Sequence, residues 1–411
     1  MKVLHVIPGL SPSLGGPPQV ALNLVRALRD CGVDAEIVAT NYDGSGFLDV
    51  PLNQRVDYHW SDAPDASVPV WFLPYQPPAL KEFIFSPALT KWLWNHIQEY
   101  DVLDNHYLFS YAPTCAATIA RWKGVPYTVR TMGQLTSWAL AQSRSKKQIY
   151  TALAERRNLQ RAAAIHCTSP SEIEDVRNFG VKTPTITLPL GVNAPPIDPA
   201  AATKVRQHYN IPANTPIILF LSRLHYKKRP ELLLKSLSQL QKSLPFHVIL
   251  AGSGDANYIS ELQSLVETLG MADRVTFPGM VVGQDKDLLF QGADLFVLPS
   301  FSENFGIAVA EALIVGLPVV ITPGIQIAPD IAAAEAGLVV EGEEDLLADA
   351  IRHLLASPER RQQMGKNGIK LAKEKYSWHT IAQNLIPAYQ TIATQKKLPT
   401  NVGFHQPIEV Q

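Results

Sequence analysis

The feature that most constrains this chain is an alternation. Short apolar runs of strand length alternate with amphipathic helical stretches, and the pattern runs twice, broken once by a Pro- and Ala-rich stretch. Residues 3–7 (Val-Leu-His-Val-Ile) read as a buried strand, because Pro8 and Gly9 end the apolar run too early for a helix. A loop with Gly15 and Gly16 follows. Val20, Leu24 and Leu28 then share one helical face, with Ala21 and Val25 beside them, and Gly32 ends the helix. Residues 34–39 read as a second strand. Strand, glycine loop, helix and strand make a βαβ unit, the connection that parallel strands require.

The same reasoning places a helix over 87–99, a strand over 102–105, a helix over 114–122 and a strand over 127–130. Residues 42–80 are rich in Pro, Asp and aromatics without a clear period, and read as a long insertion. Residues 143–160 read as a basic helix, with Arg144, Lys146, Lys147, Arg156 and Arg157 against Glu155. Such a stretch is either a solvated face or a surface for anionic lipid or a phosphorylated acceptor. Residues 194–202 (APPIDPAAA) read as the linker, after which the alternation restarts. Strands are expected over 217–222, 247–251, 275–277, 295–298 and 318–321, with helices between them and onward to about residue 393. The fold class is therefore α/β, with two Rossmann-like doubly wound domains and the site expected in the cleft they face.

Composition narrows the function. A net charge of −1 over 411 residues gives no electrostatic footprint for nucleic acid. Three scattered cysteines, Cys31, Cys115 and Cys167, suit neither a disulfide framework nor a zinc site. No apolar run approaches the roughly 20 residues that span a bilayer, and the N-terminus lacks the pattern of a secretory signal. The expected location is the cytoplasm, with peripheral contact at the inner face of the membrane through residues 143–160.

The strongest motif is Pro299-Ser-Phe-Ser-Glu303-Asn-Phe-Gly306-Ile-Ala-Val-Ala-Glu311. The strand over 295–298 runs straight into it, and a helix is expected to start near Phe305 or Gly306. Free N–H groups at that end favour an anion such as a diphosphate. Gly306 removes a side chain that would block close approach. Two carboxylates, Glu303 and Glu311, could hold two sets of sugar hydroxyls; read blandly, they are a capping acid and a surface residue. Arg223 and Lys228 follow the strand over 217–222, where two cations suit a departing diphosphate. Two patterns are weaker. Gly252-Ser-Gly254 after a strand is a lone G-x-G, either a pocket lining or a turn. Asp285-Lys-Asp287 is formally a D-x-D metal motif, but its place before Leu288 reads better as a helix cap.

SENFGIAVAEAL resembles the E-x7-E motif of the retaining glycosyltransferases of family 4, which have the GT-B fold. Gly15-Gly16-Pro17 is similar to that family's N-terminal glycine loop, Ser222-Arg-Leu-His-Tyr-Lys-Lys228 to its GRLxxxKG segment, and Tyr376-Ser-Trp378 to the start of its C-terminal helix. Residues 293–299 and 317–320 also fit. The resemblance implies an N-terminal acceptor-side domain over 1–195, completed by a returning helix at 379–395. It implies a nucleotide-sugar domain over 196–378 and leaves a flexible tail at 396–411. Glu311 would bind the donor's ribose and Glu303 the transferred sugar. Asn304, Phe305 and Gly306, with Gly15 and Gly16, would line phosphate and sugar, and Arg223 and Lys228 would carry the leaving diphosphate. The donor would be a nucleotide sugar and the acceptor a glycan or lipid-linked glycan, with no metal or other cofactor.

Three positions depart from the family pattern. Ser222 and Arg229 stand where it usually has Gly. Met132, in Thr131-Met-Gly-Gln-Leu135, stands where many members have a catalytic His. His106 and Arg130, both after expected strands, are the nearby candidates for that role. Other readings compete. A nicotinamide oxidoreductase would need G-x-G-x-x-G after the first strand, where this chain has I-P-G-L-S-P-S-L-G-G. A phosphorylase would need a pyridoxal phosphate lysine signature, which has no match. A sugar-nucleotide epimerase shares the fold. A non-catalytic binding protein is favoured only by Met132.

Overall fold

The first five residues after Lys2 have no exposed side chain, so the opening apolar run is a strand at the centre of a sheet rather than at its edge. The structure, a computed structural model, describes residues 1–14, 16–60, 63–77, 83–136, 139–140, 150 and 154–399. It divides into two units, Met1–Gly191 with Trp378 onward, and Val192–Ser377.

The first unit holds β1 (Lys2–Gly9), β2 (Asp34–Thr40), β3 (Arg55–Trp60), β4 (Ala63–Leu73), β5 (Val102–His106), β6 (Tyr127–Arg130), β7 (Ala164–Cys167) and β8 (Thr185–Thr187). Their order in the sheet is β3-β4-β2-β1-β5-β6-β7-β8, and every neighbouring pair is parallel except β3 with β4. The helix Gly16–Asp30 buries Val20, Leu24, Val25 and Leu28, the face anticipated from their spacing. Ile381, Leu385, Tyr389 and Ile392 of the helix Trp378–Gln395 join them in one core cluster. Each such side chain is worth roughly 1.5–3 kcal/mol relative to leaving it in water, which fastens the last helix to this unit.

The stretch read as an insertion is corrected by the structure. Residues 42–80 contain β3 and β4, a hairpin that extends the sheet beyond β2. Pro69 and the mixed polarity of Arg55–Trp60 hid it. The edge strand β3 need not alternate cleanly, and Pro69 of β4 falls just before Val70, where the pairing of β4 with β2 begins. Strands β7 and β8, at the opposite edge, were also missed. Most of the basic stretch 143–160 lies outside the described residues, which include Tyr150, Ala154, Glu155 and the helix Arg156–Arg161.

The second unit holds β9 (Ile217–Leu221), β10 (His247–Ala251), β11 (Val275–Gly279), β12 (Leu295–Leu298), β13 (Val319–Ile321) and β14 (Gly337–Val339), in the order β11-β10-β9-β12-β13-β14 and all parallel. Renumbered from β9, this is the doubly wound order 3-2-1-4-5-6, whose ligand crevice opens at the carboxyl ends of the two central strands. Those strands are β9 and β12. The Pro/Ala-rich stretch lies against this unit: Asp198 N donates to Gln291 Oε1 at 2.8 Å and Gln291 Nε2 to Pro196 O at 3.1 Å. Its last residues begin the helix Ala201–His208. Among the described residues, no helix is long and apolar enough to cross a membrane.

Candidate active site

Two loops leave the central strands of the second unit and meet. After β9 the chain passes through Ser222, Arg223 and Leu224 into a 3-10 turn, Tyr226–Lys228. The His225 ring accepts from Lys227 N at 3.2 Å, and Lys228 N donates to His225 O at 2.8 Å, so the turn is closed from within. After β12, Ser300 Oγ donates to Lys227 O at 3.1 Å and Phe301 N to the same oxygen at 2.9 Å. These bonds seat the second loop on the first. Lys228 Nζ is then ion-paired with Glu303 Oε1, with the two side chains 14% and 15% exposed.

Glu303 is fixed by its own backbone. Its N donates to Gly324 O at 3.0 Å and its O accepts from Gln326 N at 3.3 Å. The helix that follows runs Ile307–Ile314, starting just after the expected position. Gly306 caps it at φ 89°, a left-handed conformation that favours glycine. Glycine is thus required for the turn, beyond the space argued from the sequence. The Phe305 ring is buried against Tyr376 with centroids 5.4 Å apart, so at that position only the backbone faces the loop's polar side. Glu311 lies in the helix and pairs with Lys286 Nζ at 2.8 Å. Lys286 belongs to the D-x-D pattern read as a cap. The helix there starts at Gly283, so Asp285 falls in its first turn with Val282 at the cap.

The electrostatics carry a direction. Burial pulls the Lys227 ammonium below its ordinary range, and Lys228 and Arg223 pull it further while Glu303 opposes them. His225 is likewise lowered by burial and then by Arg223, Lys228 and Lys227. Three cationic side chains, Arg223, Lys227 and Lys228, thus lie around one carboxylate, with the neutral His225 ring beside them, at the carboxyl ends of parallel strands and beside a helix N-terminus. Such a cluster carries more positive than negative charge, the electrostatic setting that favours an anion. The sequence reading did not single out His225, Lys227 or Lys286; Lys227 O meets Ser300 and Phe301, and Lys286 meets Glu311, in distant parts of the chain. At the G-x-G pattern, Gly252 lies so close to Ser222 that a Cβ would fall 1.8 Å from its carbonyl oxygen. The pattern packs the strand that delivers Arg223.

The remaining candidates lie in the first unit. Gly15 is outside the described residues, and Gly16 opens the helix Gly16–Asp30 with open space where a Cβ would stand. His106 and Arg130 end β5 and β6 but are buried, 0% and 3% exposed. Arg130 Nε donates to Asp104 Oδ2 at 2.7 Å, and His106 Nε2 lies 3.0 Å from His5 Nδ1. Tyr389 OH of the last helix also donates to Asp104. His5, Asp104 and His106 have the spacing of a metal triad, all within 4.8 Å. The Arg130 guanidinium sits on the carboxylate such an ion would need, which opposes it. Met132 packs against the apolar core.

Residues 15–191 match the family described as Glycosyl transferase 4-like domain, and residues 202–371 match Glycosyl transferases group 1. A relative from Xylanimonas cellulosilytica, called D-inositol 3-phosphate glycosyltransferase, is 28% identical over 407 residues, covering 95% of each chain. The structure resembles a sucrose-phosphate synthase from Thermosynechococcus elongatus (TM-score 0.72, 20% identity, 96% of this chain and 100% of that one). It also resembles Anabaena HepE in complex with UDP (TM-score 0.73, 20% identity, 95% and 100%). HepE is likewise solved with UDP-glucose (TM-score 0.72). These solved structures share the GT-B fold.

Proposed function

We propose, from the premise that this chain is a glycosyltransferase of GT-B type, that it is a retaining enzyme moving a sugar from a uridine-diphosphate donor to a hydroxyl of a glycan or lipid-linked acceptor. The observation that carries the donor side is the cluster of Arg223, Lys227 and Lys228 around Glu303, three cations to one carboxylate. The neighbours solved with UDP and UDP-glucose support the nucleotide.

In this reading Arg223 and Lys228 neutralise the diphosphate as the anomeric C–O bond breaks and its electron pair passes to the phosphate oxygen. The N–H groups at the start of Ile307–Ile314 and the Asn304–Gly306 backbone hold that phosphate. Glu303 accepts from the hydroxyls of the sugar, and Glu311 from those of the ribose. The acceptor oxygen attacks from the face the phosphate leaves, and its proton passes to that phosphate. Retention then needs no carboxylate nucleophile, and Glu303, engaged by Lys228, is poorly placed to be one. The cations stand in for a metal. His106 and Arg130 are assigned to holding the first unit together. Residues 143–160 are assigned to peripheral contact with the membrane that presents a lipid-linked acceptor.

The curated relative favours a second reading of the acceptor, a phosphorylated polyol. The test is a calorimetric and thermal-shift screen against nucleoside diphosphates, with and without magnesium, followed by transfer assays with both acceptor classes and NMR of the product's anomeric centre. UDP binding that survives chelation and is lost in Lys228→Ala supports the donor site. No binding by any nucleotide shifts the weight to a non-catalytic protein. An inverted product refutes the front-face route.

A further inference from the structure

The position after Lys228 is unusual. Arg229 has φ 55° and ψ 47°, left-handed values that strain a residue with a Cβ and suit glycine. The backbone is held by Arg229 N donating to Tyr226 O at 3.2 Å, and the side chain is engaged as well. Its guanidinium carbon lies 4.3 Å from the centre of the Phe301 ring, and Nη2 donates to Gly342 O at 2.6 Å. A Cβ at position 342 would fall 1.9 Å from Arg229 Nη1, so a larger residue there would displace the guanidinium. One side chain therefore ties together three loops: the turn 226–228 after β9, the loop 300–303 after β12, and the loop after β14.

We propose that Arg229 is a positioning residue: its guanidinium, stacked on Phe301 and bonded to Gly342 O, locks the turn that carries Lys228 onto the loop that carries Glu303. It touches neither sugar nor phosphate. It acts by holding the Lys228 ammonium and the Glu303 carboxylate at one separation, so that the donor's diphosphate meets a preformed cation. Displacements of an ångström in such groups cost up to about a hundredfold in rate. The bonds from Ser300 and Phe301 to Lys227 O join the same two loops through the backbone. Arg229 adds a brace on the outer side, where the planar fork of an arginine can stack and donate at once. The proposal rests on the reading of Lys228 as a donor-site residue.

Arg229→Gly is a clean deletion, because glycine relaxes the strained backbone while removing both contacts. The experiment measures UDP affinity by calorimetry, with kcat and KM, for the wild type, Arg229→Gly, Lys228→Ala, the double variant and Arg229→Lys. Arg229→Gly is expected to weaken UDP and lower kcat by about tenfold, with a melting temperature close to wild type. The double variant is expected to bind UDP no worse than Lys228→Ala alone, since Arg229 works through Lys228. Arg229→Lys, which keeps a donor but loses the planar stack, recovers part of the loss. Phe301→Leu, which removes only the stack, gives the same split if Arg229→Gly folds poorly. Wild-type UDP affinity and kcat in Arg229→Gly, or fully additive losses in the double variant, overturn the proposal. If Lys228→Ala binds UDP like wild type, or wild type does not bind UDP, the donor-site reading itself fails and Arg229's role with it.

Discussion

Two regions of this molecule place charged side chains at the carboxyl ends of parallel strands and treat them oppositely. In the first unit, Asp104 is 0% exposed and accepts from Arg130 Nε at 2.7 Å, from Thr128 Oγ1 at 2.9 Å and from Tyr389 OH. Burial alone would raise its carboxyl; the Arg130 guanidinium and neighbouring imidazoles overcome that and hold it well below the usual carboxylate range. In the second unit, Arg223 is exposed, Lys228 and Glu303 are half-buried, and the cations outnumber the carboxylate. One network has spent its charge internally. The other retains charge that an incoming anion can use. The same residue types therefore balance their charge in one place and leave it unbalanced in the other, the difference on which the donor-site proposal rests.

The largest effect that could break this contrast is on the buried side. Asp104→Ala leaves the Arg130 guanidinium buried without its counter-charge, and is expected to cost about 3–5 kcal/mol in urea unfolding. UDP affinity should stay at the wild-type level in whatever remains folded. A variant as stable as wild type would mean that the network is solvated. On the other side, Lys228→Ala is expected to leave the unfolding midpoint in place while cutting kcat/KM by about a hundredfold, roughly 2.7 kcal/mol. A loss of stability matching the loss of rate would erase the distinction.

Titration sharpens the comparison further. Burial lowers His5 to about 4 and His166 to about 3, and His106 also falls well below its ordinary value. For His5, Asp104 opposes the burial and Arg130 reinforces it. An unfolded chain protonates these rings near pH 6.5, whereas the native state resists until far lower, so the unfolded state binds more protons in between. The stability they confer is complete above about pH 6.5 and is lost as pH falls toward about 4, at up to about 1.4 kcal/mol per pH unit for each ring. Unfolding midpoints measured at about pH 7.5 and about pH 5 should differ accordingly. Midpoints that coincide would mean that the imidazoles are open to water in the native state.

What the sequence made legible follows the same division. Central strands read clearly because both faces are buried, as in Val3–Ile7, Ile217–Leu221 and Leu295–Leu298. The strands at and beside the edges did not: β3 has mixed polarity, its neighbour β4 carries a proline, and the edge strand β14 is three residues long. In the site, Glu303, Glu311, Arg223 and Lys228 emerged through motif resemblance. The structure joins Lys228 to Glu303 and Lys286 to Glu311, across 75 and 25 residues of chain. No local spacing encodes such pairs. His106 and Arg130 looked like site residues because a polar residue ending a strand is ambiguous. Only His5, one strand away, and Tyr389, 285 residues on from Asp104, reveal that they belong to a buried network around Asp104.

The smallest effect tests the finer half of the donor reading. Glu311 meets Lys286 through Oε1 at 2.8 Å, with both side chains 23% exposed. A pair this open to water is worth only about 0–1 kcal/mol in stability, so Lys286→Ala should scarcely move the unfolding midpoint. Its effect should appear instead in binding. With Oε1 occupied, the carboxylate is held in one orientation, and in the proposed donor site Oε2 would meet the ribose hydroxyls. Removing the lysine lets Glu311 turn, and UDP should weaken by less than about fivefold, the scale of one loosened hydrogen bond. The discriminating measurement repeats the titration with 2′-deoxy-UDP. If Glu311 reads the ribose, the deoxynucleotide binds the wild type less well, and Lys286→Ala costs it less than it costs UDP. An equal loss for both nucleotides would place the ribose away from Glu311 and leave the Lys286 pair as a contact between two helices.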